Sequence, residues 1–452
     1  MTSVVLLVAF ALFFVVSAQS LARRDGVYFA YYFVLFVYTF FTQLVYVAYG
    51  DDFSSLIPGD APITDEIFLK YQVFVFASFV GIFLVLLRGT KVGRILNTVQ
   101  APSDSIRFAF FVLFVLLYDA FLVWTYVYNY DTLSYENPDA LKSNRLFARP
   151  FILFGVVFLA LYATADRLKS DNFRRRACQI LMGLTAGIVF LIAVRAGTRT
   201  VIAATTIGVL CYEALMAGTA RRLFRPRLVL AAVGMFILLT AIATYRIEGA
   251  ASAADLSKSV AGDLDFFVST RLSLTAIIFG DYAGPSVMLL SSISDQIVIP
   301  GTGLAAVFFG SLPFGGFTGI QSVGFIVSRI VDPSLIDSWK GFGYYILAEG
   351  YNVVGWFGVV YNTVVIGYLL RLSRRFWNTP DRHYRAFVGA LFGMQAITVI
   401  RGQSSEIIRA WYYVIIPGLF LLWLGCGLRV ARPSRRRHVV LDDRARDVSA
   451  PK

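Results

Sequence analysis

Residues 341–371 read GFGYYILAEGYNVVGWFGVVYNTVVIGYLLR, and this stretch decides the fold. From about Val353 to Leu370 it is an apolar run closed by Arg371. That is long enough to cross a bilayer core, which takes about 20 apolar residues. Glu349, Tyr351 and Asn352 stand at the mouth of the run, beside Gly350 and Gly355. Facing lipid, a carboxylate costs roughly 2.5–3.5 kcal/mol at a helix centre and less near the interface. The expectation is therefore a Glu349 that faces a water-filled cavity. A solvated, interfacial Glu349 is the plainer alternative.

Working outward, similar runs recur along all 452 residues. The chain is 58% hydrophobic and 15% charged, with a mean hydropathy of +0.68. A soluble protein averages about 25% charged. The sequence predicts an all-α polytopic integral membrane protein of about eleven transmembrane helices. Continuous apolar runs, without strict alternation, exclude a β-barrel.

The predicted spans are about Ser3–Leu21, Val27–Tyr49, Phe68–Leu87, Phe108–Tyr130, Phe151–Ala165, Ala177–Val194, Val201–Ala217, Leu228–Tyr245, Val353–Leu370, Ala386–Ile400 and Trp411–Leu428. Residues 1–245 hold the first eight. Residues 246–340 form a large external region of interfacial or re-entrant helices, 341–430 hold the last three spans, and 431–452 are a basic tail. The second loop, GDDFSSLIPGDAPITDE, carries Asp51, Asp52, Asp60, Asp65 and Glu66 and no base, so it reads as external. DRLKSDNFRRR and RRLFRPR read as internal. Roughly two thirds of the 41 Lys and Arg then fall inside, as the positive-inside rule requires. The first span is read as an uncleaved anchor, because Arg23 and Arg24 follow the apolar run and no base precedes it.

The net charge of +13 belongs to the loops between spans. No aromatic–basic interleaving points to nucleic acid. Cys178, Cys211 and Cys426 fall in or beside spans, without the spacing of a disulfide framework or a zinc site. No HExxH, paired CxxC, P-loop or GxSxG motif is present. No metal and no cofactor is expected.

The external bases are few but concentrated near membrane mouths. Arg195 and Arg199 occupy the tight hairpin RAGTRT, Arg246 ends the eighth span, and Arg271 and Arg329 lie in the large external region. Arg401 and Arg409 bracket RGQSSEIIR, which also holds Glu406. Arginine's planar fork suits phosphate, with two parallel charge-assisted hydrogen bonds. Snorkelling to lipid headgroups is the alternative for each one.

Three stretches together carry a resemblance. RAGTRTVIAA resembles the G-[ST]-R hairpin of bacterial oligosaccharide repeat-unit polymerases, the Wzy group. ILAEGYNVVGWFGV resembles their AE-x-Y-x-N signature, and RGQSSEIIR their arginine-rich loop before the last span. The order, with a large external loop after the first motif, is the same, and it covers roughly the C-terminal 60% of the chain. The resemblance implies a glycosyltransferase of GT-C-like type in the bacterial inner membrane, with its site facing the periplasm. Its substrates would be undecaprenyl-diphosphate-linked oligosaccharides. The growing glycan would pass from its lipid carrier to the non-reducing end of a new lipid-linked unit, as in O-antigen or lipopolysaccharide assembly. Membrane lipids, a chain-length regulator and a flippase are the partners it implies. Glu349, Arg199 and Arg195 take catalytic roles in this reading, with Glu349 the general base. Arg246, Arg271, Tyr351, Asn352, Arg401, Glu406 and Arg409 hold substrate. Tyr351 and Asn352 either orient sugar hydroxyls or build the helix entrance.

Two alternatives stand beside it. An O-antigen ligase uses an external histidine, whereas His383 and His438 here lie in internal segments. A transporter or flippase of a lipid-linked anion would show broken helices in matched positions.

Overall fold

The computed structural model describes residues 2–49, 63–88, 97–100, 105–128, 145–196, 200–217, 284–312, 321–331, 344–379 and 381–431. Among these, eight helical stretches are long and apolar enough to cross a membrane. The chain is an all-α polytopic membrane protein. Six of the eight are α1 (Thr2–Arg24), α2 (Gly26–Tyr49), α3 (Asp65–Leu87), α4 (Ser105–Tyr128), α6 (Asn172–Ala196) and α7 (Thr200–Ala217). They match the expected spans one to four, six and seven. The expected fifth span is α5 (Arg145–Arg167), longer than its apolar core suggested because polar residues continue the helix at both ends. The expected eighth span lies outside the described residues.

Capping explains several boundaries. Thr64 accepts a hydrogen bond from the Ile67 N–H at 3.3 Å, and Asp65 and Glu66 lie in the first turn of α3, where the helix dipole favours negative charge. The last helix ends at Gly427, in the left-handed conformation with φ 70°, which glycine adopts without penalty.

After residue 283 come three helices too short to span a membrane: α8 (Gly284–Ser294), α9 (Pro300–Gly310) and α10 (Val323–Val331). α8 is packed against α2 and α3, with a Tyr71–Ser286 hydroxyl contact in the interior. The described part of the 246–340 region is thus packed into the helical body.

The last two of the eight stretches, 346–377 and 405–426, are both interrupted. α11 (Ile346–Val354) ends at Gly355, whose φ is 61°. A 3-10 turn, Gly355–Phe357, then leads into α12 (358–377), which consists of Gly358–Asn362, a π-helical Thr363–Gly367 and Tyr368–Trp377. The expected tenth span is divided into α13 (Arg382–Met394) and α14 (Ala396–Ile400). The eleventh is divided into α15 (Ser405–Tyr413) and α16 (Ile415–Cys426). Two short strands, β1 (Asn97–Gln100) and β2 (Leu428–Ala431), pair antiparallel.

Polar bonds join the helices inside the apolar body: Ser17 to Tyr32 at 3.0 Å, Gln72 to Gln43 at 3.1 Å, Thr39 with Tyr345 at 2.6 Å and Thr185 to Asp119 at 3.0 Å. Such bonds are strong selectors of helix pairing where no water competes. Other contacts gather helix ends into two opposite rims. On the first rim, Arg24 bonds the Leu87 carbonyl, Asp25 pairs with Arg374 at 3.1 Å, and Arg167 pairs with Asp381 at 3.8 Å. On the second, Tyr46 donates to Asp65 at 2.7 Å.

Candidate functional site

The stretch 344–371 forms a fold-back rather than one straight helix. α11 runs in, turns at Gly355 and returns as α12. The turn is possible because two glycines meet: a Cβ on Gly350 would fall 2.7 Å from the Gly358 carbonyl oxygen. Asn362 on the returning helix donates to the Leu347 carbonyl at 3.1 Å and to Ser78 Oγ at 3.4 Å. Ser78 lies near the midpoint of α3. The AEGYN stretch, 348–352, therefore sits well inside the helical body, and every residue from Ile346 to Val353 is buried.

Within α11 the polar residues have separate tasks. Asn352 uses its whole amide: Oδ1 accepts from the Tyr344 hydroxyl at 2.9 Å, and Nδ2 donates to the Ile297 carbonyl at 2.9 Å. Its own carbonyl accepts from the Ile299 N–H at 2.6 Å. Asn352 thus pins the α8–α9 connection to α11. Of the two roles left open for it, these contacts are those of a structural anchor. Tyr351 lies edge-on to Phe74 and Trp356, with ring centroids 5.7 Å and 5.9 Å away.

Glu349 is fully buried. Its carboxylate accepts from the Tyr361 hydroxyl at 2.7 Å and from the Ser404 N–H at 2.9 Å, and the Ser404 hydroxyl also donates to it. Ser404 is the N-cap of α15, so a carboxylate meets the positive end of a helix dipole there. This differs from the expected water-facing Glu349, because the α14–α15 turn covers it. Among the described residues no ion pair reaches Glu349.

The same turn carries the rest of RGQSSEIIR. Glu406 pairs with Arg409 at 2.5 Å. Arg409 also donates from Nε to the Gly310 carbonyl at 2.6 Å, and Tyr412 donates to the Ser311 carbonyl at 2.6 Å. The end of α9 is thereby fastened to α15. Glu406 lies within Coulombic reach of Glu349. Arg401 is half-buried in the turn after α14. Arg329 is exposed on α10. Arg199, Arg246, Arg271 and the side chain of Arg195 lie outside the described residues.

The structure thus brings together Glu349, Glu406 and Arg409 from the expected set. It adds Tyr361, Gln403, Ser404, Ser405 and Gly310, which the sequence pattern did not single out. The signal for three of these was present: QSS is a run of uncharged polar residues between two apolar helices. Tyr361 and Gly310 carried none.

A second polar cluster stands on the first rim. Asp25 is buried, accepts from Trp377 Nε1 at 3.1 Å and from the Val27 N–H at 3.0 Å, and is pushed above the usual carboxylate range by burial, with Arg374 opposing. Asp166 accepts from Tyr212 at 3.1 Å and faces His383 Nδ1 at 3.6 Å. Burial holds His383 below the ordinary imidazole value, the Asp166 charge opposing. These contacts tie helices α2, α5, α7, α12 and α13 together.

Compared with known proteins, the chain matches no family model, no curated protein and no solved structure. The site has to be read from its own residues.

Proposed function

We propose that the chain is a polymerase of undecaprenyl-diphosphate-linked oligosaccharide repeat units, acting at the outer face of the bacterial inner membrane. The observation that supports this reading is a meeting of two distant motifs. ILAEGYNVVGWFGV and RGQSSEIIR, two of the three stretches that resemble the family, join at the hydrogen bonds between Glu349 and Ser404, 55 residues apart.

In the proposed reaction an acceptor hydroxyl attacks the anomeric carbon of the lipid-linked donor. A new glycosidic C–O bond forms, and the C–O bond to the diphosphate breaks. The electron pair leaves with undecaprenyl diphosphate. The hydroxyl proton passes to Glu349, relayed by the Ser404 hydroxyl that already faces it, because Glu349 itself is covered. Positioned bases of this kind contribute roughly 10²–10⁴-fold. Arg195 and Arg199 would stabilise the charge developing on the leaving diphosphate. The second rim would face the periplasm, and the first rim the cytoplasm.

One observation favours a second reading, transport of a lipid-linked anion. The helical stretches at 346–377 and 382–413 are both broken, and Ser404, at the second break, bonds Glu349, six residues before the first break at Gly355. Discontinuous helices of this kind form the substrate sites of many transporters.

The test is purified protein in proteoliposomes with synthetic lipid-linked repeat units. Longer glycans on the lipid carrier are the expected result. Transfer to lipid A core instead makes the chain a ligase, and relocation without a new bond makes it a transporter.

A further inference from the structure

Gln403 and Ser405 flank the Glu349-bonded Ser404, and both are buried at 6% and 0% exposure. Yet Gln403 Oε1 and Ser405 Oγ have no hydrogen-bond partner among the described residues. A buried polar group left unpaired costs about 1–3 kcal/mol, so two of them in a single turn are not the outcome of packing alone. They also converge. A Cβ placed on Gly310 would lie 3.4 Å from Gln403 Nε2, 3.4 Å from Ser405 Oγ and 3.7 Å from Arg409 Nη2. Three polar side chains on α15 and the turn before it therefore point at one spot, across from a residue that has no side chain. Arg409, Glu406 and Gly310 at its edge are only partly buried, so the spot lies close beneath the surface.

The chemistry of the spot limits what fits. Arg409 is already engaged with Glu406 and with the Gly310 carbonyl, and the spot meets the Gln403 amide nitrogen, which donates, and the Ser405 hydroxyl, which can do both. The Glu406 carboxylate stands beside Arg409 as its partner. An anion is disfavoured. A hydroxyl both donates and accepts, so it satisfies the serine and either end of the amide. We propose that Gln403, Ser405 and Arg409, around Gly310, form a subsite for a hydroxyl of an uncharged sugar. For its place in the reaction this rests on the polymerase reading: the sugar belongs to the acceptor unit, positioned next to Ser404 and Glu349. An immobilised water would satisfy the same atoms, and the test separates the two.

The probes are methyl glycosides of glucose, galactose, mannose and N-acetylglucosamine, at millimolar concentration, with purified full-length protein in nanodiscs. Saturation transfer from protein to sugar ring protons is read by NMR, with inorganic diphosphate as competitor, and melting is followed on the same samples. Ser405→Ala and Gly310→Ala are compared with wild type. The expected result is transfer to at least one glycoside, undisturbed by diphosphate, reduced about three- to tenfold in Ser405→Ala, the effect of one lost hydrogen bond, and at least as much in Gly310→Ala, whose methyl occupies the spot. Ser405→Ala should melt at the wild-type temperature or above, since the hydroxyl it removes holds no other described residue. The proposal is overturned if no glycoside receives saturation, as a water site predicts. It is equally overturned if transfer is the same in both variants, if diphosphate abolishes it, or if Ser405→Ala lowers the melting temperature. Polymerisation is assayed in parallel. Variants that polymerise as wild type remove the subsite and leave the polymerase reading standing. Variant-sensitive glycoside binding in a protein that makes no polymer removes the polymerase reading and leaves the subsite.

Discussion

Gly350 and Gly358 face each other backbone to backbone: a Cβ on Gly350 would stand 2.7 Å from the Gly358 carbonyl oxygen and 2.5 Å from Asn362 Oδ1. Backbone cannot yield as a flexible side chain can, so this contact sets how closely α11 and α12 fold together. Everything that brings Glu349 to Tyr361 depends on it.

The first expectation follows from that contact. Gly350→Ala should destabilise the protein by about 1–3 kcal/mol or more, the cost of overpacking a filled interior. Gly183→Ala, in α6, is the control. A Cβ on Gly183 would meet nothing within 4 Å among the described residues, and Gly-to-Ala in a helix gains about 0.5–1 kcal/mol. Thermal melting in detergent should therefore move in opposite directions for the two variants. Equal melting temperatures would mean that the two helices do not meet at these glycines.

Glu349→Gln should lower polymerisation by about 10²–10⁴-fold if Glu349 takes the proton. Folded yield should change little, because the amide oxygen still accepts from the Ser404 N–H and no described arginine is left without its counter-charge. Tyr361→Phe removes one hydrogen bond to the same carboxylate and should cost activity far less. A stable, fully active Gln variant would confine Glu349 to capping α15.

Arg199→Ala should abolish polymer while the protein remains in the membrane, and Arg199→Lys should be impaired as well, because the ammonium lacks the bidentate fork. Chelator should leave the rate intact, since the arginines supply the positive charge at the diphosphate. Full activity in the Lys variant would reduce Arg199 to a point charge. Loss in chelator, rescued by magnesium, would make a cation part of the site.

The first rim should be sensitive to acid. His383 is held below its ordinary value of 6.5 chiefly by burial, so the unfolded chain takes up its proton first as pH falls. Its contribution to stability is complete above about pH 6.5 and is lost as pH drops through that value towards the lower folded one. Asp166, Asp381, Arg167 and Lys169 all face it, the acids opposing the shift and the bases adding to it. Melting temperature should fall between about pH 7 and pH 5 in wild type and fall less in His383→Gln. Parallel curves for the two proteins would exclude His383 from the effect.

Much of the helical body was legible because transverse order in a membrane is written in composition. Long apolar runs, closed by Arg23–Arg24, Arg167 or Arg371, predict spans whatever their neighbours are. The breaks were not legible. GWFGVV is apolar throughout, so the reversal at Gly355 leaves no mark in hydropathy; only the positive φ shows it. The division of the tenth span at Gln395 is hidden in the same way, whereas the turn at 401–404 falls in the polar RGQSS between two apolar runs. The site was half legible. AE-x-Y-x-N and RGQSSEIIR could be picked out singly, but their meeting is a contact across 55 residues, which no local pattern encodes. Asn352 shows the converse. Two readings stood open for this polar residue in a motif, sugar contact or helix entrance, and no local pattern foretold that its amide holds Ile297.

The distance along the chain between Glu349 and Ser404 also imposes a timetable on synthesis. At about 5–20 residues per second, 55 residues take roughly 3–11 s to make. For that interval Glu349 is already part of an inserted helix while the turn that caps it does not yet exist. Tyr361, only 12 residues further on, emerges almost at once. The tyrosine is thus the carboxylate's first partner in the nascent chain, and Ser404 completes the arrangement only when the last hairpin arrives. A ribosome stalled with Tyr361 outside its exit tunnel and Ser404 still within or unmade would carry a Glu349 without its Ser404 bonds.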